Sequence, residues 1–323
     1  MKALSVFSGG LDSMLAVEIV RAQDVEVLGL FFESPFFSSE KARGSASSIR
    51  LPLKVIDITK RHLEVVKNPK HGHGENMNPC IDCHALMIRC AGERLEEEGA
   101  KFIITGEVLG QRPMSQNRRS LALVAKESGF DRVLLRPLSA KRLPQTLPEE
   151  MGWIDRERLL DWSGRSRKPQ MALADRLGIE GYPSPAGGCL LTDAIFSRRL
   201  RDLLSSRPEC KRREIDLLKL GRHFRIDSET KLIVGRNKRE NQEIEELAEP
   251  GDLMLKTTAI PGPTVLVLGD LSSESEDVAA AITASYSDAP DGGEAEVMLT
   301  GKGSNRVVYA IGRKKEAFKP YMI

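Results

Sequence analysis

A glycine-rich turn near the start of the chain has the composition of an anion-binding loop. It reads SGGLDS and joins an apolar run, typical of a buried strand, to a pattern of helical spacing. Gly9 and Gly10 permit close backbone approaches, and the first N–H groups of a helix have no partner within it. Together with the hydroxyls of Ser8 and Ser13, these groups suit a phosphate or a pyrophosphate.

The same loop contains a carboxylate, Asp12, which would repel a bare phosphate. A Mg²⁺ ion bound between Asp12 and the phosphates would remove this conflict. The alternative is an ordinary strand-to-helix turn in which Asp12 and Ser13 cap the helix. The glycines alone leave both interpretations open.

Three cysteines form a second candidate site. Cys80 and Cys83 stand in a C-x-x-C within NPCIDCH, and Cys189 follows two glycines in AGGCLLTD. Thiolates are suitable ligands for a metal or a cluster, and a redox dithiol is also compatible with a C-x-x-C. A zinc site would need further ligands, because no second C-x-x-C or H-x-x-x-H is present. The histidines that could supply them are His71, His73 and His84.

Apolar runs rich in β-formers alternate with helical patterns along the first part of the chain. This alternation predicts an α/β fold, with a parallel sheet wound on both faces. Ligands of such sheets bind beyond the carboxyl ends of the strands, where the SGGLDS loop falls. The predicted strands are Ala3–Phe7, Val25–Phe32, Leu53–Ile58, Phe102–Thr105 and Arg132–Arg136.

Two other strand ends should reach the same ligand. At Phe31 the backbone could meet an adenine edge, and Gly106 permits a close approach to a nucleotide. We therefore expect both residues at the nucleotide site.

The composition indicates a globular chain with room for two domains. It has 323 residues, of which 41% are hydrophobic and 29% charged, and its formal net charge of +2 does not identify a partner. No apolar run reaches the roughly 18 residues of a membrane span, and no signal peptide is recognisable. We expect a cytoplasmic protein that does not bind membranes. Five cysteines without a secretory context argue against a disulfide framework.

The SGGLDS loop resembles the PP-loop of the N-type ATP pyrophosphatases. Members of that family cleave ATP to AMP and pyrophosphate while they adenylate a substrate. The loop is not a Walker A motif, which requires Gly-x-x-x-x-Gly-Lys-Ser/Thr. The resemblance implies ATP and Mg²⁺ as cofactors, with Ser8, Gly9, Gly10, Asp12 and Ser13 at the nucleotide.

Further motifs resemble the tRNA 4-thiouridine synthetase and 2-thiouridylase superfamily. They are NPCIDCH, TGEVLGQRPMSQ, GRSRKPQMALA and AGGCLLTD. The resemblance implies a tRNA-modifying sulfurtransferase within residues 1–207, in which ATP adenylates a uracil carbonyl oxygen and sulfur displaces AMP. It implies tRNA and a sulfur donor, hydrosulfide or a cysteine desulfurase, as partners. Gln111, Arg112 and Gln116 follow a predicted strand end and should face the site, with Arg112 on RNA or on the adenylated uridine; the alternative is a surface loop.

The superfamily delivers sulfur in two ways. In one group three cysteines hold a [4Fe-4S] cluster with an open iron, and Cys80, Cys83 and Cys189 match that spacing. In the other group two cysteines act, one as a persulfide, and structural zinc is a third interpretation. A PP-loop ligase acting on a small molecule also stays open. An RNA-binding adaptor with an inactive loop is disfavoured by the intact SGGLDS.

The end of the chain resembles the C-terminal RNA-binding module of the NFACT proteins. The resemblance is concentrated in VGRNKREN and lies within a predicted smaller α+β domain, residues 208–323. Basic residues cluster here, and we expect Arg212, Arg213 and Arg236 to bind RNA phosphates. The alternative is a solvated helix face, because acidic residues are interleaved. The sequence is compatible with a homodimer but does not specify one.

Overall fold

The computed structural model describes residues 1–183, 188–301 and 303–323. The chain forms two compact units, Met1–Thr192 and Asp193–Ile323. The sequence placed the boundary between residues 207 and 208, where the composition changes. The structure assigns helix Ala194–Ser206 to the second unit, because Arg199 donates to the carbonyls of Leu218 and Gly221 at 2.8 and 3.0 Å.

The first unit contains a five-stranded parallel sheet in the order β3-β2-β1-β4-β5. All five predicted strands are present, and the predicted α/β fold class is confirmed. The last strand is shorter than predicted because Asp131–Val133 forms a 3₁₀ turn before it. The strands are β1 Lys2–Val6, β2 Glu26–Glu33, β3 Leu53–Asp57, β4 Phe102–Thr105 and β5 Leu134–Leu135.

Helices cover both faces of this sheet because its strands are apolar on both sides. In β2, for example, Val27 and Phe31 lie in one buried cluster, whereas Leu28 and Leu30 lie in the other. Helices α1, α2 and α7 contribute to the first cluster, and α4 and α5 to the second. The helices are α1 Leu11–Arg21, α2 Glu40–Ser48, α3 Thr59–Lys67, α4 Cys80–Gly92, α5 Arg118–Ser128, α6 Leu147–Glu150 and α7 Lys168–Leu177.

The SGGLDS loop lies where the strand order reverses. Strand β1 pairs with β2 on one side and with β4 on the other, so successive crossovers leave it in opposite directions. A crevice opens beyond the carboxyl ends of the strands at such a position, and ligands of doubly wound sheets bind there.

The second unit is an α+β fold with a six-stranded antiparallel sheet in the order β11-β10-β8-β9-β7-β6. Helix α11 packs in one core cluster with this sheet, and α10 in another. The predicted α+β character is confirmed. The elements are α8 Ala194–Ser206, α9 Arg212–Leu217, β6 Arg222–Arg225, β7 Lys231–Val234, α10 Lys238–Glu246, β8 Leu253–Thr257, β9 Val265–Leu268, α11 Ser273–Ser285, β10 Glu294–Gly301 and β11 Ser304–Ile311.

None of the described helices has the length and apolar character needed to cross a bilayer.

Candidate active site

The SGGLDS loop is a tight turn held by its own hydroxyls and by helix α2. The Ser13 hydroxyl donates to the Gly10 carbonyl at 2.7 Å, and the Gly10 N–H donates to Ser8 Oγ at 3.3 Å. Gly9 has φ +77°, and a Cβ there would lie 2.6 Å from the Ala42 Cα of α2. Only glycine fits this position without strain. Ser13, expected to serve the nucleotide, therefore also shapes the loop.

Gly106, just after β4, permits a close approach to the start of α1. A Cβ at this position would lie 2.5 Å from the Ser13 nitrogen. The sequence attributed this glycine to a nucleotide contact, and the contact that the structure shows is with the α1 backbone. Phe31, the other predicted nucleotide residue, has a buried side chain in the core, 6.3 Å from the Phe37 ring. Nucleotide contacts of both residues stay predictions.

Asp12 is the least satisfied polar group of the loop. Gln111 donates to its Oδ2 at 3.0 Å, whereas its buried Oδ1 has no hydrogen-bond partner among the described residues. Burial raises the pKa of Asp12, and the raising is opposed by Gln111 and then by the charge of Arg167. A buried carboxylate oxygen without a donor is suited to a cation. The arrangement therefore fits Mg²⁺ at Asp12.

The motif GRSRKPQ contributes residues that the sequence did not assign to the site. Gln170, on α7, is 1% exposed and acts on the Asp12 carboxyl, while its own Oε1 lacks a partner within the described part of the chain. Arg167, just before α7, acts on the same carboxyl through its charge. The motif GRSRKPQ supported only the family resemblance above, although it contains Arg167 and Gln170 and could have indicated both.

The segment GQRPMSQ contacts the loop through Gln111. Gln111 bonds to Asp12, and Gln116 is buried with its Oε1 unpartnered among the described residues. Arg112 is exposed, and its charge opposes the burial that raises the pKa of Asp12 and of Cys189. A single guanidinium thus lies close enough to influence the loop and a cysteine together.

Cys80, Cys83 and Cys189 come together, although more than a hundred residues separate the last from the first two. The charges of Cys80 and Cys189 both raise the pKa of Cys83, after burial, which is the main cause. Burial, opposed by a backbone hydrogen bond from Leu191, also raises the pKa of Cys189, to about 11. The three thiols thus lie near enough to influence one another, and their joint role as ligands stays a prediction.

The three thiols have the soft donor chemistry that iron or a cluster requires. Among the described residues, however, no three His, Cys, Asp or Glu side chains already stand in metal-binding geometry. Each histidine suggested for zinc has another partner: His71 faces Glu127 at 3.5 Å, His73 the Val66 carbonyl at 2.9 Å and His84 the Glu107 carboxylate at 2.9 Å.

A buried network lies between the loop and the C-x-x-C. Glu107, directly after Gly106, accepts hydrogen bonds from Arg136 at 2.8 Å and pairs with His84 Nδ1 at 2.9 Å. Burial favours the neutral carboxyl, but the Arg136 guanidinium, followed by His84, holds the pKa of Glu107 well below its ordinary value. Glu107 thereby fixes the ring of the residue that follows Cys83.

We expect Glu107→Gln to lower the free energy of unfolding by about 3 kcal/mol, because it leaves Arg136 buried without a counter-charge. A carboxyl with a depressed pKa stabilises the fold above its unfolded value of about 4.3, and loses this contribution as the pH falls toward the folded pKa. The free energy of unfolding, measured with urea from pH 7 to pH 3, should therefore fall less steeply with decreasing pH in the variant than in the wild type.

The matched control is Glu93→Gln, which removes a carboxylate paired with Arg61 but 43% exposed. Such a surface pair should cost under about 1 kcal/mol. Equal losses of unfolding free energy in the two variants would show that the buried Glu107 network stabilises the fold no more than a surface ion pair does.

The basic residues of the second unit differ in availability. Arg213 is engaged in ion pairs with Asp252 and Glu249 and is 16% exposed, and its expected phosphate contact stays a prediction. Arg212 is 49% exposed and pairs with Asp216 at 3.7 Å. Arg236 is 48% exposed and pairs with Glu240. RNA binding by Arg212 and Arg236 stays a prediction.

Residues 1–142 match the family described as thiamine biosynthesis protein (ThiI), and residues 221–322 match the NFACT protein RNA binding domain. Two separate parts of the chain thus match two different family models, each over less than half of the chain. The predicted resemblance of both parts is thereby confirmed. The ThiI match contains the PP-loop, Cys80 and Cys83, and it ends before Cys189.

Named relatives agree with this assignment over part of their length. A probable tRNA sulfurtransferase from Thermoanaerobacter sp. (strain X514) is 30% identical over 121 residues, which are 34% of this chain and 30% of the relative. A tRNA-specific 2-thiouridylase MnmA from Karelsulcia muelleri (strain GWSS) is 28% identical over 34% of this chain and 32% of the relative. The chain thus spans about a third of the length of these relatives.

A solved 4-thiouridine synthetase–RNA complex with bound ATP is 25% identical and covers 55% of this chain and 53% of that one, with a TM-score of 0.37. A likeness at this score does not bear on the site.

Arg112→Ala is expected to weaken tRNA binding several-fold and to reduce the slope of log affinity against log salt by about one, because one exposed cation is lost beside the site. Filter binding of bulk tRNA at several salt concentrations measures both quantities. Arg118→Ala, which removes another exposed arginine at the start of α5, is the control. Unchanged affinity and turnover in Arg112→Ala would refute the assignment.

Proposed function

We propose that this chain is an ATP-dependent tRNA sulfurtransferase that adenylates a uracil carbonyl oxygen and replaces it with sulfur. The observation that carries the proposal is Arg112, whose charge acts on both Asp12 of the PP-loop and Cys189 of the thiol group. An ATP loop and a set of thiols within reach of one side chain are what a reaction with adenylation and sulfur transfer needs.

The PP-loop would perform the first half of the reaction. The helix α1 N-terminus and the loop N–H groups favour the phosphates of ATP, as in other anion sites at helix starts. Mg²⁺ held by Asp12 would neutralise charge on the departing pyrophosphate. Gln111 orients the Asp12 carboxylate through its hydrogen bond to Oδ2. AMP is then a far better leaving group than the original carbonyl oxygen.

The thiols would perform the second half. We favour a [4Fe-4S] cluster on Cys80, Cys83 and Cys189, which would bind hydrosulfide at its open iron. Their convergence supports this choice and equally supports a persulfide on one of the thiols, with a cysteine desulfurase as the donor. Asn78 donates to Cys80 Sγ at 3.3 Å, which would stabilise a thiolate in either case.

The second unit would bind the tRNA. Its match to an RNA-binding domain and the exposed guanidinium groups of Arg212 and Arg236 support this role. The proposal includes a cytoplasmic location and is compatible with a homodimer.

The test is ATP–pyrophosphate exchange with and without bulk tRNA, followed by mass spectrometry of the tRNA nucleosides. We expect exchange or pyrophosphate release that rises with tRNA, and thiouridine in the RNA when a sulfur donor is added. Exchange that depends on a small metabolite and ignores tRNA would instead establish a PP-loop ligase. Absence of exchange with intact ATP binding would indicate a binding protein.

A further inference from the structure

A buried histidine that the sequence gave no reason to select contacts one of the three thiols. His62, on α3, is 0% exposed, and its Nε2 lies 2.9 Å from Cys83 Sγ. Its other ring nitrogen, Nδ1, lies 3.0 Å from Ser34 Oγ. Both nitrogens are therefore engaged, and the ring connects the segment after β2 to the cysteine on α4.

Aromatic rings hold this imidazole in one orientation. The ring of Phe36 meets it edge-on, and that of Phe37 meets it at a tilt, each with a centroid distance of 5.3 Å. Phe36 is fully buried, so the histidine cannot swing away without disturbing the core. The contact with Cys83 is thus fixed by packing as well as by hydrogen bonds.

The hydrogen bonds of Ser34 bear on which ring nitrogen of His62 can donate to the sulfur. A neutral imidazole carries one proton, on one of its two ring nitrogens. Ser34 Oγ accepts from the Phe36 N–H at 3.3 Å, which leaves its own O–H free to donate to Nδ1. If Ser34 donates to Nδ1, a neutral ring bears its proton on Nε2, which lies 2.9 Å from Cys83 Sγ and can donate to a sulfur without its proton.

The same segment also holds the third thiol in place. The Phe36 carbonyl accepts from the Leu190 N–H at 3.2 Å, and Leu190 follows Cys189 directly. Residues 34–37 are therefore bonded to Cys83 through His62 and to the Cys189 segment through the backbone. One short stretch of chain is therefore bonded to both cysteine segments.

We propose that His62 is a positioning residue for sulfur transfer, which fixes the Cys83 sulfur and donates an N–H···S hydrogen bond to it. The role in sulfur transfer rests on the proposed function. The contact between His62 and Cys83 can be tested without a thiolation assay. Hydrogen bonds from a second layer of residues orient sulfur ligands and tune their electronics. Cys80 receives the comparable bond from Asn78 at 3.3 Å.

The test compares three substitutions of His62 in the reduced, metal-free full-length chain. Gln keeps an N–H close to the position of Nε2, Asn keeps a partner only for Ser34, and Leu keeps only apolar bulk. The rate of alkylation by iodoacetamide at one pH is measured for each cysteine by mass spectrometry. We expect His62→Leu and His62→Asn to slow Cys83 about tenfold, because the sulfur anion loses a donor. His62→Gln should stay within about threefold of the wild type.

A purely packing role predicts the opposite order, in which Leu is tolerated against the phenylalanines and Gln is not. That order, or an unchanged Cys83 rate in both Leu and Asn variants, would overturn the proposal. Cys90, 1% exposed on the same helix, reports any loss of folding within the same molecule. If the Leu variant unfolds, the Gln and Asn pair decides. His73→Leu, which removes a ring bonded to a carbonyl rather than a thiol, should leave Cys83 unaffected.

Discussion

Asp12→Asn is expected to reduce ATP–pyrophosphate exchange by at least about 100-fold, because it removes the charge that would hold Mg²⁺ at the phosphates while it preserves the size of the side chain. The same variant should be slightly more stable than the wild type at pH 7. Burial raises the pKa of Asp12, so folding favours the neutral form. The stability that this carboxyl contributes is present below its unfolded pKa and is lost as the pH rises through the folded value.

The combination of lower activity and higher stability identifies a functional charge, since a structural carboxylate would lose both. Exchange kinetics and urea unfolding at pH 7 measure the two quantities. Glu18→Gln, on the same helix and paired with Arg21 at 2.9 Å, is the control and should change neither by much. Near wild-type pyrophosphate release by Asp12→Asn would remove the PP-loop from the mechanism.

Cys189→Ala is expected to abolish thiolation, with a loss of at least about 100-fold, while ATP binding survives. If the three thiols hold a cluster, anaerobically purified Cys189→Ala should lack both the iron and its visible absorption. Cys80→Ala and Cys83→Ala should lose both signals as well. Cys210→Ala, in the second unit, is the control and should keep both the iron and the activity.

Persulfide transfer gives a different pattern for the same variants. The anaerobic protein would then contain no iron, a donor enzyme would be required, and only two of the three cysteines would be essential. Iron-free anaerobic protein that thiolates tRNA would end the cluster hypothesis and leave the sulfurtransferase proposal intact. Retained thiolation in Cys189→Ala would remove this cysteine from both mechanisms.

The sequence by itself determined the fold class, because the alternation of apolar strands and helical patterns is a local signal. Strands β1 to β4 lie within one residue of their predicted ends. The turn chemistry of SGGLDS was equally local, since glycines and hydroxyls at fixed spacing specify a strand-to-helix loop. The NFACT-type module could be recognised from VGRNKREN for the same reason.

The tertiary structure alone decided which side chains meet. His62 carries no sequence signal of its own, and it becomes notable only because burial removes it from water and leaves it Ser34 and Cys83 as polar partners. Gly106 shows the same limit: the sequence indicates a close approach but cannot say what approaches.

The sequence also could not show which arginines are exposed and which lie among carboxylates. Arg212 and Arg213 are neighbours of the same type, yet one is half exposed and the other lies among carboxylates of distant segments. The convergence of Cys189 with Cys80 and Cys83 is of the same kind. Resemblance suggested it, and long-range packing brings it about, because the energy that closes such a distance comes from the core and not from the cysteines.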